Sequence, residues 1–158
     1  MAIDPSEFRQ AMGHFATGVT VVTTRDDDRW YGFTANAVCS VSLVPALVLV
    51  CVDKRAESHS TFSQSGVFAV NVLADHQAMV SQRFAVSGGE KFDGLPYYFG
   101  ETGVPILEGA IAYVECTLSA THDAGDHTIY VGEVTHASAS SGAPLLFFRG
   151  RYRRLQDI

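Results

Sequence analysis

A chain of 158 residues, 47% hydrophobic and 18% charged, is long enough for one domain (residues 1–158) with its own core and too apolar to stay disordered. Its net charge of −6 opposes a nucleic-acid partner, which needs a basic face against phosphates. No apolar run reaches the roughly 20 residues that cross a bilayer, MAIDPSEFRQ has no basic-then-apolar leader pattern, and three cysteines lack paired spacing; a cytoplasmic protein without membrane contact is expected.

Asp4-Pro5-Ser6-Glu7 predicts a helix start, with Asp4 as N-cap, Pro5 at the first helical position and Glu7 closing a capping box. Phe8, Met12 and Phe15 follow at spacings of four and three, a single apolar stripe that must pack on something. Gly18 to Thr24 alternates as a strand, Arg25 to Arg29 is a charged turn, and Trp30 to Asn36 returns to make a hairpin. Ala46 to Val52, β-branched and unbroken between Pro45 and Asp53, reads as a buried strand.

The joint between those last two strands carries Thr34, Asn36, Ser40 and Ser42, with Cys39 among them. Leaving such a group buried and unpaired costs about 1–3 kcal/mol. Either turn geometry satisfies them locally or a bound polar ring does.

A short helix is expected over Arg55 to Ser65, anchored by Phe62 and stopped by Gly66, then a strand from Val67 to Leu73. Asp75 to Phe84 reads as a helix with Asp75 as N-cap and Met79, Val80 and Phe84 inward. Ala85 to Glu108 holds so many glycines and prolines that it reads as a loop, and a loop of that length is usually functional. Ala110 to His122 and Thr128 to Ser138 are strands around Asp123 to His127, where Gly125 supplies the turn, and Leu145 to Leu155 is the closing strand. Arg149, Arg151, Arg153 and Arg154 crowd that end, either as a solvated edge or as a patch for an anionic cofactor. Six or seven antiparallel strands with few helices predict an all-β fold, a small Greek-key barrel. Cys39, Cys51 and Cys116, all in apolar runs, read as small buried hydrophobes.

The signatures GxGxxG, GxxxxGK[ST], HExxH, GxSxG and CxxC are absent. HDAGDH (122–127) resembles a metal cluster only in composition, because groups on a hairpin tip need not converge, and no metal site is expected.

Three blocks, FRQAMGHFATGVTVVTT, TANAVCSVSLVPALVLVCV and AGDHTIYVGEV, together resemble the short-chain flavin reductase family, the reductase halves of two-component flavin-dependent monooxygenases; the likeness runs from about Phe8 to Tyr152. The resemblance implies a split β-barrel, a homodimer, FMN or FAD as cofactor, NADH or NADPH as co-substrate, and a monooxygenase partner that receives reduced flavin. It also implies site residues. Thr34, Ala35, Asn36, Ser40, Val41 and Ser42 would contact the flavin ring, whose alternating acceptors and donor suit small groups on an irregular joint. Cys51, Asp53, Lys54 and Ser58 would line the ribityl and phosphate end. Ser58, near a helix start, is a sensible phosphate contact or else merely a cap. Phe84, Lys91 and Phe92 would meet the outer part of the cofactor. His127 would position the nicotinamide, with Gly150 and Tyr152 as the other candidates for holding it. Hydride transfer is then a positioning problem, with C4 of the nicotinamide about 3–3.5 Å from the flavin N5. The rival expectation is a pyridoxamine-phosphate-oxidase-like barrel that stores or senses its flavin without NADH turnover.

Overall fold

The computed structural model describes residues 2–158. In chain order the elements are α1 (Pro5–Met12), β1 (Thr17–Gly18), β2 (Thr20–Arg25), β3 (Trp30–Ala35), β4 (Val38–Leu43), β5 (Ala46–Asp53), α2 (His59–Ser65), β6 (Val67–Val72), α3 (Ala78–Ala85), β7 (Tyr97–Phe99), β8 (Pro105–Leu107), β9 (Ala112–Ala124), β10 (His127–Ala139), β11 (Leu146–Phe148) and β12 (Arg151–Arg153). Seven strands form one antiparallel sheet in the order β3-β2-β6-β9-β10-β5-β4. The two edge strands, β3 and β4, are joined by only Asn36 and Ala37. Laid flat, six gaps of about 4.8 Å would hold them nearly 30 Å apart, whereas the connection reaches roughly 11 Å. The sheet therefore has to curl until its edges meet at that corner.

Valine-rich strands supply the interior. Val22, Val50, Val52, Phe62, Phe68, Cys116 and Tyr130 make one buried cluster, and Val19, Val21, Leu73, Phe84, Leu107 and Leu145 a second. Val21 and Val22 are neighbours in different clusters, so β2 is covered on both faces and is buried without a break from Thr20 to Thr24, against the alternation expected. Gly132 on β10 is required by packing, since a Cβ there would lie 2.5 Å from Phe68 and 2.6 Å from Cys116. Two buried polar groups tie loops to the sheet. Asn71 donates to the Val21 carbonyl at 3.0 Å and accepts from the Leu107 N–H at 2.9 Å. The Glu115 carboxylate, 1% exposed, accepts from the N–H groups of Glu101 and Thr102 and the Thr102 hydroxyl.

Several expectations are corrected. The Asp4 carboxylate caps α1 by accepting from Ser6, but α1 buries no residue, and Phe8, Met12 and Phe15 stand exposed. The polar joint is itself the strand β4, because Val38 to Leu43 finds a partner in β5. α3 starts at Ala78, not after Asp75: buried Gln77 accepts from the Ala74 N–H and donates to the Glu108 carbonyl, which uses up the turn before the helix. Asp75 pairs instead with Arg154, and Met79 points outward at 80% exposure while Phe84 is buried. Inside the glycine-rich stretch, β7 and β8 form a hairpin whose turn is held by Glu115. The last strand is likewise two, since Arg149 and Gly150, with φ of 51° and 74°, fold β11 back onto β12. Cys39 is exposed and Cys51 half-buried; only Cys116 is fully buried. No helix among the described residues is long and apolar enough to cross a membrane.

Candidate functional site

The curled sheet leaves the edge of β3 open beyond the corner. β5 runs past the end of β4, whose last partner on it is Val50. Its final residues, Cys51 and Asp53, face the free edge of β3 across a cleft of about 690 Å³. The floor is residues 28–37, one wall residues 55–58, and the other the end of α3 with the loop up to Phe92; His127 closes one end.

The unpaired edge of β3 defines the donor set. Thr20 to Arg25 of β2 pair with it on one side only. Lys91 Nζ donates to the Gly32 carbonyl at 3.3 Å, so that peptide faces the cleft, and by the antiparallel alternation so do the N–H groups of Trp30, Gly32 and Thr34. Gly32 lets the wall approach: a Cβ there would stand 2.7 Å from the Phe84 ring, which packs edge-on against Phe92 at 5.1 Å. Thr34 turns its hydroxyl away to the Ser81 carbonyl at 2.6 Å, leaving the backbone as its contribution. Asn36 is exposed at the corner and its amide makes no hydrogen bond among the described residues. Ser58 is buried at the start of α2 yet makes no capping bond, so its hydroxyl is free to face the cleft.

Charges are arranged around this donor edge. Asp53 accepts from the Arg55 N–H at 2.8 Å and grips its guanidinium, which holds the Asp53 carboxyl well below the usual carboxylate range. Lys91 is partly buried, and that burial pushes its ammonium down. His127 is not at a hairpin tip as expected. The turn is only Gly125 and Asp126, with Gly125 at φ 67°, so His127 is the first residue of β10 and lies opposite Asp53. Its Nδ1 meets Asp126 Oδ1 at 2.7 Å, and that contact lowers the Asp126 carboxyl.

Of the residues singled out from sequence, Thr34, Ala35, Asn36, Cys51, Asp53, Ser58, Phe84, Lys91, Phe92 and His127 converge on this one cleft. Six others lie elsewhere in the chain. Ser40, Val41 and Ser42 are carried off along β4 by its pairing with β5. Lys54 donates to the Gly125 carbonyl at 2.6 Å and pairs with Asp123, clamping the β9–β10 turn. Gly150 sits in the β11–β12 turn, and the Tyr152 hydroxyl shares a 2.8 Å hydrogen bond with Ser81 of α3. Sequence reasoning missed Arg29, Trp30, Tyr31, Arg55 and Glu57. The signal available was the charged turn RDDDR running straight into an aromatic edge strand.

The profile of the flavin reductase like domain matches residues 12–156. The chain belongs to the flavin reductase-like family. It is 43% identical over 157 residues to the reductase subunit HsaB of a flavin-dependent monooxygenase from Mycobacterium tuberculosis, covering 98% of this chain and 84% of that one. It is 45% identical over 147 residues to the FMN reductase (NADH) SmoA of Agrobacterium fabrum, covering 93% and 84%. The NADH:FAD oxidoreductase SgcE6 of Streptomyces globisporus, solved with NAD and FAD fragments, superposes with a TM-score of 0.92 at 39% identity, covering 99% of this chain and 97% of that one. The all-β fold of flavin reductases implied by the resemblance is the fold of this chain.

Proposed function

We propose that the chain is an NADH-dependent flavin reductase that transfers hydride to FMN or FAD and supplies reduced flavin to a monooxygenase. The observation that carries this reading is the meeting of Asn36, the bare edge of β3 and His127 in one cleft. The donor set fits a flavin: outward N–H groups and a free amide suit the carbonyls of its pyrimidine edge, and Ala35 and Phe84 offer apolar walls. Asn36 and the peptide of Thr34 would hold the ring, and Ser58 and Lys91, the latter at Gly32, would take the phosphate end. When bound, the flavin supplies the hydride acceptor. His127 orients the nicotinamide from the end of the cleft that it closes, its imidazole fixed through Nδ1 by Asp126. No side chain has to give or take a proton for hydride transfer, so the chain contributes position and exclusion of water.

Relatives named as a reductase subunit of a monooxygenase support the transfer of reduced flavin to a partner enzyme, and those named for NADH favour turnover over the storage or sensing reading. The exposed stripe of α1 supports a homodimer, as do the exposed side chains of Leu43 and Val44, and the composition supports work in the cytoplasm. Mixing the FMN-loaded protein with NADH under argon tests the reading. The flavin absorbance should bleach within seconds; an unchanged spectrum would favour storage or sensing.

A further inference from the structure

The cleft wall made by residues 55–58 belongs to no helix or strand. Tight turns hold it from within, the Ala56 N–H donating to the Asp53 carbonyl at 2.9 Å and the His59 N–H to the Ala56 carbonyl at 3.0 Å. Where Ser58 stands therefore depends on how α2, which begins at the next residue, is docked. α2 enters the core through Phe62, whose ring meets those of Tyr130 at 5.1 Å, Phe68 at 5.6 Å and Phe33 at 5.7 Å. Apolar burial is not directional, so it keeps the helix close without fixing its rotation. Direction comes from β10. The hydroxyl of buried Tyr130 donates to the His59 carbonyl at 3.1 Å and accepts from the Ser63 hydroxyl at 3.4 Å. Two residues back on the same strand face, Thr128 Oγ1 lies 2.8 Å from His59 Nε2. Both β10 side chains thus grip the residue next to Ser58, one through its backbone and one through its ring. Phenylalanine would fill the same space as Tyr130 in the aromatic cluster, so the hydroxyl is there for α2 and not for packing.

Resting on the flavin reductase reading, in which Ser58 takes the phosphate end, we infer that Tyr130 and Thr128, acting through His59, are positioning residues that set the preference for a phosphorylated flavin over riboflavin. Neither touches the ligand. They fix the rotation of the first turn of α2, and with it the direction in which the uncapped Ser58 hydroxyl meets the cleft. A displacement of about 1 Å is enough to spoil such a contact. β10 begins at His127, so one strand sets both the nicotinamide end of the site and the phosphate contact.

The test is calorimetry on flavin-stripped protein with FMN and with riboflavin, which differ only in the phosphate. Tyr130→Phe keeps the ring in the core and should weaken FMN about fivefold while riboflavin stays within about twofold. Thr128→Val, nearly the same in shape, should act in the same direction, and it decides the matter should Tyr130→Phe fail to fold. A double-mutant cycle shows whether the hydroxyl works through Ser58: in a Ser58→Ala background, Tyr130→Phe should cost FMN less than about twofold more. Equal losses for FMN and riboflavin, unchanged affinity for both, or full additivity with Ser58→Ala would overturn the inference. So would equal affinity of the wild-type protein for FMN and riboflavin, because the phosphate contact would then be missing. Failure of the reductase reading looks different: NADH would go unconsumed although FMN still bound more tightly than riboflavin.

Discussion

Asp53 and His127 lie directly opposite each other on β5 and β10, and this pairing carries the imidazole to the cleft wall. It follows from a two-residue turn at Gly125 and Asp126, which Lys54 clamps from β5. His127→Ala removes the imidazole without disturbing the core, since the side chain is 41% exposed. The expected result is a KM for NADH raised, or hydride transfer slowed, by about tenfold or more, equivalent to about 1.4 kcal/mol of lost positioning. Flavin affinity should stay within about twofold. Wild-type saturation and rate would mean that the nicotinamide is held elsewhere.

Asn36 has an amide with no hydrogen-bond partner among the described residues, so its removal should be felt by the ligand and not by the fold. Asn36→Leu should lower flavin affinity about 5- to 150-fold, corresponding to about 1–3 kcal/mol for unpaired ring acceptors. A lowered Tm with unchanged flavin affinity would assign Asn36 a purely structural part.

The uncovered α1 stripe predicts a second chain. Light scattering at micromolar concentration should give twice the chain mass, and Phe8→Asp with Met12→Asp should give the single mass. A monomeric wild-type protein would contradict the dimer.

The three thiols should separate by reactivity, because the thiolate is the reacting form. Cys39 is exposed, Cys51 is half-buried in the cleft with its thiol pushed up by burial, and Cys116 is pushed up to about 12, first by burial and then by nearby Glu115. A thiol reagent at mildly alkaline pH should modify Cys39 quickly and Cys51 slowly, more slowly still with FMN present. Cys116 should react only in denaturant. FMN-independent labelling of Cys51 would place the flavin away from β5.

Much of this was legible in the sequence where local pattern and tertiary role coincide. The β-branched stretch around Val21, the run from Ala46 to Val52 and the glycine turn before His127 each act within a few residues, and all appear as strands or turns at nearly the expected places. What was not legible depends on pairing across distance. Val38 to Leu43 reads as a polar joint until β5 is beside it, and only that pairing shows that Ser40 and Ser42 leave the cleft. Gln77, 31 residues from the Glu108 carbonyl it reaches, sets the start of α3 against the nearer signal of Asp75. Trp30 looked like one more strand aromatic, because its neighbours Tyr97 and Phe99 come from a hairpin hidden in a glycine-rich stretch.

The central claim is tested most directly by following NADH absorbance in the presence of purified protein, with and without free FMN or FAD. NADH should be consumed only when flavin is added, at a rate that saturates with flavin, because the cleft holds its ligand mainly through neutral contacts and releases it. A rate independent of added flavin, or no consumption at any flavin concentration, would contradict the account.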